Sequence, residues 1–195
     1  MIPTIPRGAR AAFGVVVSIA LAALGASVCA TARAASAAPA RPAATACLPT
    51  GDGYLRARIA GAIDADIDWP NSGTWCAGER KSAPPGVRMS FRRAAGSRPR
   101  LLFLFGLTGV REGLPLREGR ANLTVIDETD GRIFGTLGDG RCTIDSLSQR
   151  RLPAAHRYRV EARGFCTQPA RAVRGTGDVL VSRFDFAGEV NYGGH

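Results

Sequence analysis

Polar and apolar residues alternate most clearly between Tyr54 and Trp69. Leu55, Ala57, Ile59, Ile63, Ile67 and Trp69 fall on odd positions, and Arg56, Arg58, Asp64, Asp66 and Asp68 fall on even ones. Side chains of a strand point alternately to its two faces, so this pattern predicts one strand, or two collinear strands with a bend at Gly61, having one buried and one wet side. Val87, Met89 and Phe91 alternate with Arg88, Ser90 and Arg92 in the same way, whereas Leu101 to Phe105 is continuously apolar and suits a strand buried on both faces. Between Asn122 and Leu137 the pair Asp130-Gly131 signals a tight hairpin. A three-residue loop there would set Leu123 opposite Leu137 and Val125 opposite Gly135, with Thr124, Ile126, Phe134 and Thr136 sharing the other face. Val179 to Ser182 and Phe184 to Tyr192 read as a closing pair of strands. Short strands separated by Gly- and Pro-rich turns, with no sustained 3.6-residue apolar period, predict an all-β fold: a single antiparallel β-sandwich, or a closed β-barrel, with the sandwich preferred because no ligand-mouth motif of a barrel is visible.

The only helix expected is N-terminal, in a signal peptide over residues 1–34. Arg7 and Arg10 precede the uncharged run Ala11 to Ala26, and small residues allow cleavage after Ala30 or Ala34. The run is shorter than the roughly 20 residues that span a bilayer core, so the mature form is expected to carry no transmembrane span. Residues 35–46 are rich in Ala and Pro with no large apolar side chain, which predicts a flexible tether. Residues 47–195 then form one domain. A lipid anchor on Cys29 is disfavoured because Val28, rather than a small Ala or Gly, precedes it. The predicted location is periplasmic or extracellular.

With Cys29 removed, Cys47, Cys76, Cys142 and Cys166 remain, an even set that reads as two disulfides. Residues 142–151 and 157–166 flank Leu152 to His156, and a hairpin centred on Ala154 sets Cys142 opposite Cys166 and Asp145 opposite Arg163. That leaves Cys47 for Cys76.

The net charge of +10 includes the signal; after cleavage at Ala34, 23 basic residues face 16 acidic ones. Lys81 is the only lysine, and the abundance of Arg, Ala, Gly and Pro is what a GC-rich genome produces. A basic surface also suits an anionic partner. Arg92, Arg93, Arg98 and Arg100 gather around one loop and are the candidate polyanion contact. Interleaved aromatics are missing except for Phe91, so no specific nucleic-acid binding is expected.

Other candidates read mainly as structure. Asp64, Asp66 and Asp68 could gather a hard cation, but a calcium loop needs glycine and glutamate where Trp69 and Trp75 stand. No metal and no cofactor is expected. Gly51 to Gly53 and Gly138 to Gly140 are turn chemistry. Trp69 and Trp75 bracket Pro70 to Thr74 and are the candidate ligand aromatics, as indoles beside polar groups stack on sugars. Packing around the Cys76 bridge is the plainer role for both. His156 lies in a predicted turn and His195 at the end of the chain, so no catalytic triad is expected. Glu112, Glu118, Asp127, Glu128 and Asp130 could supply a carboxylate pair for glycoside cleavage. The function expected is a non-enzymatic binding or envelope-associated module whose partner is an envelope component or anionic surface. The alternatives are a small carboxylate-dependent hydrolase of envelope sugars and a binder of anionic lipid or polyanion.

Overall fold

The computed structural model describes residues 46–193 except 95, 97 and 139, so the expected signal peptide and all but the last residue of the tether lie outside the described residues. The described residues are all-β, with no helix among them. The strands are β1 Tyr54–Gly61, β2 Ala65–Pro70, β3 Thr74–Lys81, β4 Gly86–Arg93, β5 Leu101–Thr108, β6 Leu116–Asp127, β7 Arg132–Gly135, β8 Cys142–Arg151, β9 Arg157–Cys166, β10 Ala170–Ala172 and β11 Asp178–Asn191. Antiparallel ladders lead from β3 through β4, β5, β6 and β8 to β9 and β11. A single parallel bridge, Asn191 to Glu79, joins β11 back to β3. The β1–β2 hairpin pairs with the first half of β11, and β10 joins β11 to β7.

The core lies between β5 and β11. Phe105 lies tilted against Phe184 and Phe186 at ring-centroid distances of 5.1 and 4.8 Å, Phe91 lies 5.1 Å from Phe186, and Trp69 meets Phe103 edge-on at 5.5 Å. Such offset and edge arrangements let the positive ring edge meet a negative ring face. Both disulfides form as the sequence predicts, Cys47–Cys76 and Cys142–Cys166. They point to an oxidising, extracytoplasmic compartment.

The structure departs from the predicted pattern at four places. Residues 54–69 are two antiparallel strands rather than collinear ones: Tyr54 pairs with Pro70 and Ile59 with Ala65. The odd positions nevertheless remain on the core face, because the reversal keeps odd opposite odd. The β6–β7 loop has four residues, Glu128 to Gly131, closed by the Gly131 N–H donating to Asp127 C=O at 2.8 Å. That extra residue slips the register by one, so Val125 faces Phe134 in the core and Leu137 is left 71% exposed. The expected Asp145–Arg163 pair is broken by a bulge; Ser146 faces Arg163, whose guanidinium turns to Asp185 at 3.4 Å. The closing segment is one strand, not two. A bulge at Ser182 lets Val179 and Val181, then Phe184 and Phe186, enter the same core.

Candidate functional site

The fold presents two outer sheet faces of opposite character. On the face of β1, β2, β9 and β11 charges alternate in register, Asp68 beside Arg56, Arg56 beside Asp185, and Asp185 beside Arg163. Arg56 holds Asp68 at 3.2 Å, and Arg58 holds Asp64 at 2.7 Å and Asp66 at 3.9 Å. The three aspartates that suggested a cation are therefore matched by cross-strand arginines. Tyr54 donates to Asp185 at 2.7 Å, and burial, with that carboxylate second, pushes its phenol well above the ordinary range. Asp52 of the first Gly-Asp-Gly is held below the usual carboxylate range by the Thr50 hydroxyl, with Arg159 and Arg150 beside it at 2.7 and 3.0 Å. Nearly every charge on this face has its partner close by.

The outer face of β3 to β7 is different. Its core side carries Phe91, Phe103, Val125 and Phe134, so the intervening residues must point outward. Following the ladders, Trp75 pairs with Arg92, Arg92 with Leu102, Leu102 with Ile126, and Ile126 with Ile133. Val173, just past β10, donates its N–H to Ile133 C=O at 2.8 Å and extends the row. Trp75 and Ile133 are each 40% exposed and Val173 58%, while Leu102, Ile126 and the neighbouring Leu104 are half-buried. The apolar run 101–105 is thus not buried on both faces. Its even positions contribute to an apolar band on the outside of the sheet.

The predicted arginine tip borders this band. Arg92 lies within it, 5.7 Å over the Trp75 ring. Arg92 and Arg100 share one carboxylate, Glu128, at 3.6 and 3.9 Å. Arg93 turns to Ser72 C=O and the Thr74 hydroxyl at 3.1 and 3.2 Å. Arg98 is exposed on the β4–β5 connection. Arg132, next to Ile133, holds Asp127 at 3.3 Å and Asp130. At one end of the band, therefore, Arg92 and Arg100 meet Glu128, Arg132 meets Asp127 and Asp130, and Arg93 is held by backbone and hydroxyl oxygens.

The two tryptophans separate. Trp69 is in the core, and Trp75 stands outside beside an open groove of about 400 Å³ over Ala77, Ser90 and Arg88. The polar neighbours proposed for a sugar platform are engaged elsewhere: Asn71 Oδ1 accepts the Leu48 and Gly53 N–H groups at 2.7 and 3.0 Å, and the buried Thr74 hydroxyl donates to Pro70 C=O at 2.7 Å. The candidate carboxylates scatter. Glu112 faces Arg80 and His156 at 3.3 and 3.0 Å, Glu128 sits at the arginine tip, and Asp127 is buried, accepting the Thr129 N–H at 2.9 Å. Glu118 alone departs from this pattern. With φ of 59° it stands across from the bulged Asp145, where β6 and β8 interrupt their ladder. No hydrogen bond or ion pair from a described residue reaches either carboxylate. His195 and Asp139 lie outside the described residues.

The band was missed in the sequence because its members come from strands that interleave only after folding. The one available signal was the charge-free run 101–105 beside the arginine cluster. No protein-family model, curated protein or solved structure matches the chain. Among the described residues no helix is long and apolar enough to cross a membrane.

Proposed function

We propose that this chain is exported by a cleavable signal over residues 1–34 and acts, without catalysis, as a binding module of the cell envelope, through the outer face of β3–β7. The observation carrying this reading is the outward row Trp75, Arg92, Leu102, Ile126, Ile133 and Val173, an apolar face left uncovered while the other outer face has matched its charges. Exposed contiguous apolar surface with a polar border is what interaction sites leave on a folded domain. The architecture belongs to the same reading. Of sandwich and barrel, the barrel is favoured by ladders that return through β11 to β3, with the single Asn191 to Glu79 bridge as its weakest seam.

Hydrogen exchange on the exported protein, with and without isolated cell envelopes, tests this. Protection should concentrate in peptides covering residues 101–108, 122–127 and 132–135. Protection confined to β1, β2 and β9 would contradict the proposal.

A second reading, a hydrolase of envelope sugars, is favoured by one observation: Glu118 and Asp145, which no other described residue reaches by a hydrogen bond or ion pair, face each other in a groove of about 490 Å³ that Arg117, Ser146 and Arg163 also line. Release of reducing ends from envelope polysaccharide by the native protein, abolished in Glu118→Gln, would establish it in place of the first.

A further inference from the structure

We infer that the occupant of the β3–β7 face is an anionic lipid bilayer, with the apolar band set into the headgroup boundary and the arginine tip holding lipid phosphates; this rests on the binding-module reading above. The band joins side chains of two kinds in a fixed order. At one margin is Trp75, an amphipathic ring of the type that favours the interface between water and hydrocarbon. Arg92 stands next in the row, over that ring, and Leu102, Ile126, Ile133 and Val173 follow it with no further charged residue between them. The band is carried on paired strands, so its apolar groups are presented without an ordering cost on binding.

The charges argue for a bilayer rather than a protein or a second copy of this chain. Arg92, Arg98 and Arg100 stand at one end of the band, on the β4–β5 side and close in the chain to Leu102; Arg132 is paired with Asp127 and Asp130 on the other face of β7 and takes no part. Arg92 and Arg100 must share Glu128, so that pair keeps an uncompensated positive charge. Arg171, in register with Gly135, and Arg174, next to Val173, add two more cations at the far side. With cations at both ends, a second copy would set arginine against arginine in either orientation about a two-fold axis. A guanidinium fork fits two phosphate oxygens, and a bilayer supplies phosphates at the level of the band's margin whatever the rotation of the protein.

The exported protein is tested by sedimentation with vesicles of phosphatidylcholine alone and of phosphatidylcholine mixed with phosphatidylglycerol. Binding is expected only to the mixed vesicles and should fall with added salt. Each of Arg98→Gln and Arg100→Gln should weaken it roughly fivefold, the loss expected for one basic residue at a charged surface. Ile133→Glu with Val173→Glu, at positions exposed enough to accept the change, should weaken it by on the order of tenfold or more, with melting temperature and disulfides unchanged. Equal binding to both vesicle types, no binding to either, or indifference to the Ile133→Glu/Val173→Glu pair overturns the proposal. So does a native dimer that this pair converts to monomer. If vesicles fail while envelopes still protect β5–β7 from exchange, the bilayer is wrong and the binding-module reading stands; if both fail, neither survives.

Discussion

Phe105 is in contact range of rings from β4, β5 and β11, which makes it the most connected side chain of the aromatic core. Phe105→Ala would lose that burial and leave a cavity the surrounding rings cannot fill by small shifts. A loss of about 3–5 kcal/mol in unfolding free energy is expected by denaturant titration. Tyr192 offers a test in alkali. Its ring is buried, and burial pushes its phenol up to about 12; the Tyr192 hydroxyl donates to Gln149 Oε1 at 2.8 Å. The folded state therefore holds a proton that the unfolded chain releases near pH 10, so stability should be complete below pH 10 and fall as pH rises from there toward 12. Spectrophotometric titration should show native phenolate appearing later than in denaturant, and Tyr192→Phe should remove part of the delay. At this scale much was legible. The apolar residues at odd positions of 55–69 are the ones that became buried, since one face of a strand must leave water. The separate fates of Trp69 and Trp75 were not legible, because β3 turns the second indole outward and nothing local announces that strand.

The β8–β9 hairpin shows what an element's own sequence can specify. Its strand limits and the Cys142–Cys166 pairing follow from the symmetry of residues 142–166 about the turn. The bulge at Asp145 did not follow, since inserting one residue into a ladder is settled by neighbours on both sides. Gly164 reports how close those neighbours come. A methyl group there would lie 2.1 Å from Thr143 C=O and 2.6 Å from the Phe184 ring, so Gly164→Ala should cost about 1–3 kcal/mol, seen as a shifted denaturant midpoint. A near-neutral result would mean that β8 and β9 can separate without disturbing the core. The β6–β7 loop makes the complementary point: one more residue than expected moved Phe134 into the core and Leu137 out of it.

For the whole molecule, one disulfide ties the start of the described fold to β3 through Cys47 and Cys76, and the other ties β8 to β9. Replacing Cys142 and Cys166 together by Ala should lower stability by about 2–4 kcal/mol, measured by thermal or chemical unfolding. The intact mass of the protein from an exporting host should lack residues 1–30 or 1–34, and the four cysteines should react with alkylating agents only after reduction. Free thiols in an uncleaved chain would remove the export argument.

By itself the sequence determined the all-β class, the core-facing residues of β1, β2 and β4 and both cysteine pairings, because alternation, turn residues and hairpin symmetry act over a few neighbouring positions. Only the tertiary structure decided which strands lie side by side. Trp75, Leu102, Ile126, Ile133 and Val173 are distant in the chain and become one surface solely through the order β3, β4, β5, β6, β7 and β10. The same ordering matched Arg56 and Arg58 to the aspartates of β2 and left the arginine tip beside an apolar band, since long-range registry depends on the total packing of the core and not on any short stretch of chain.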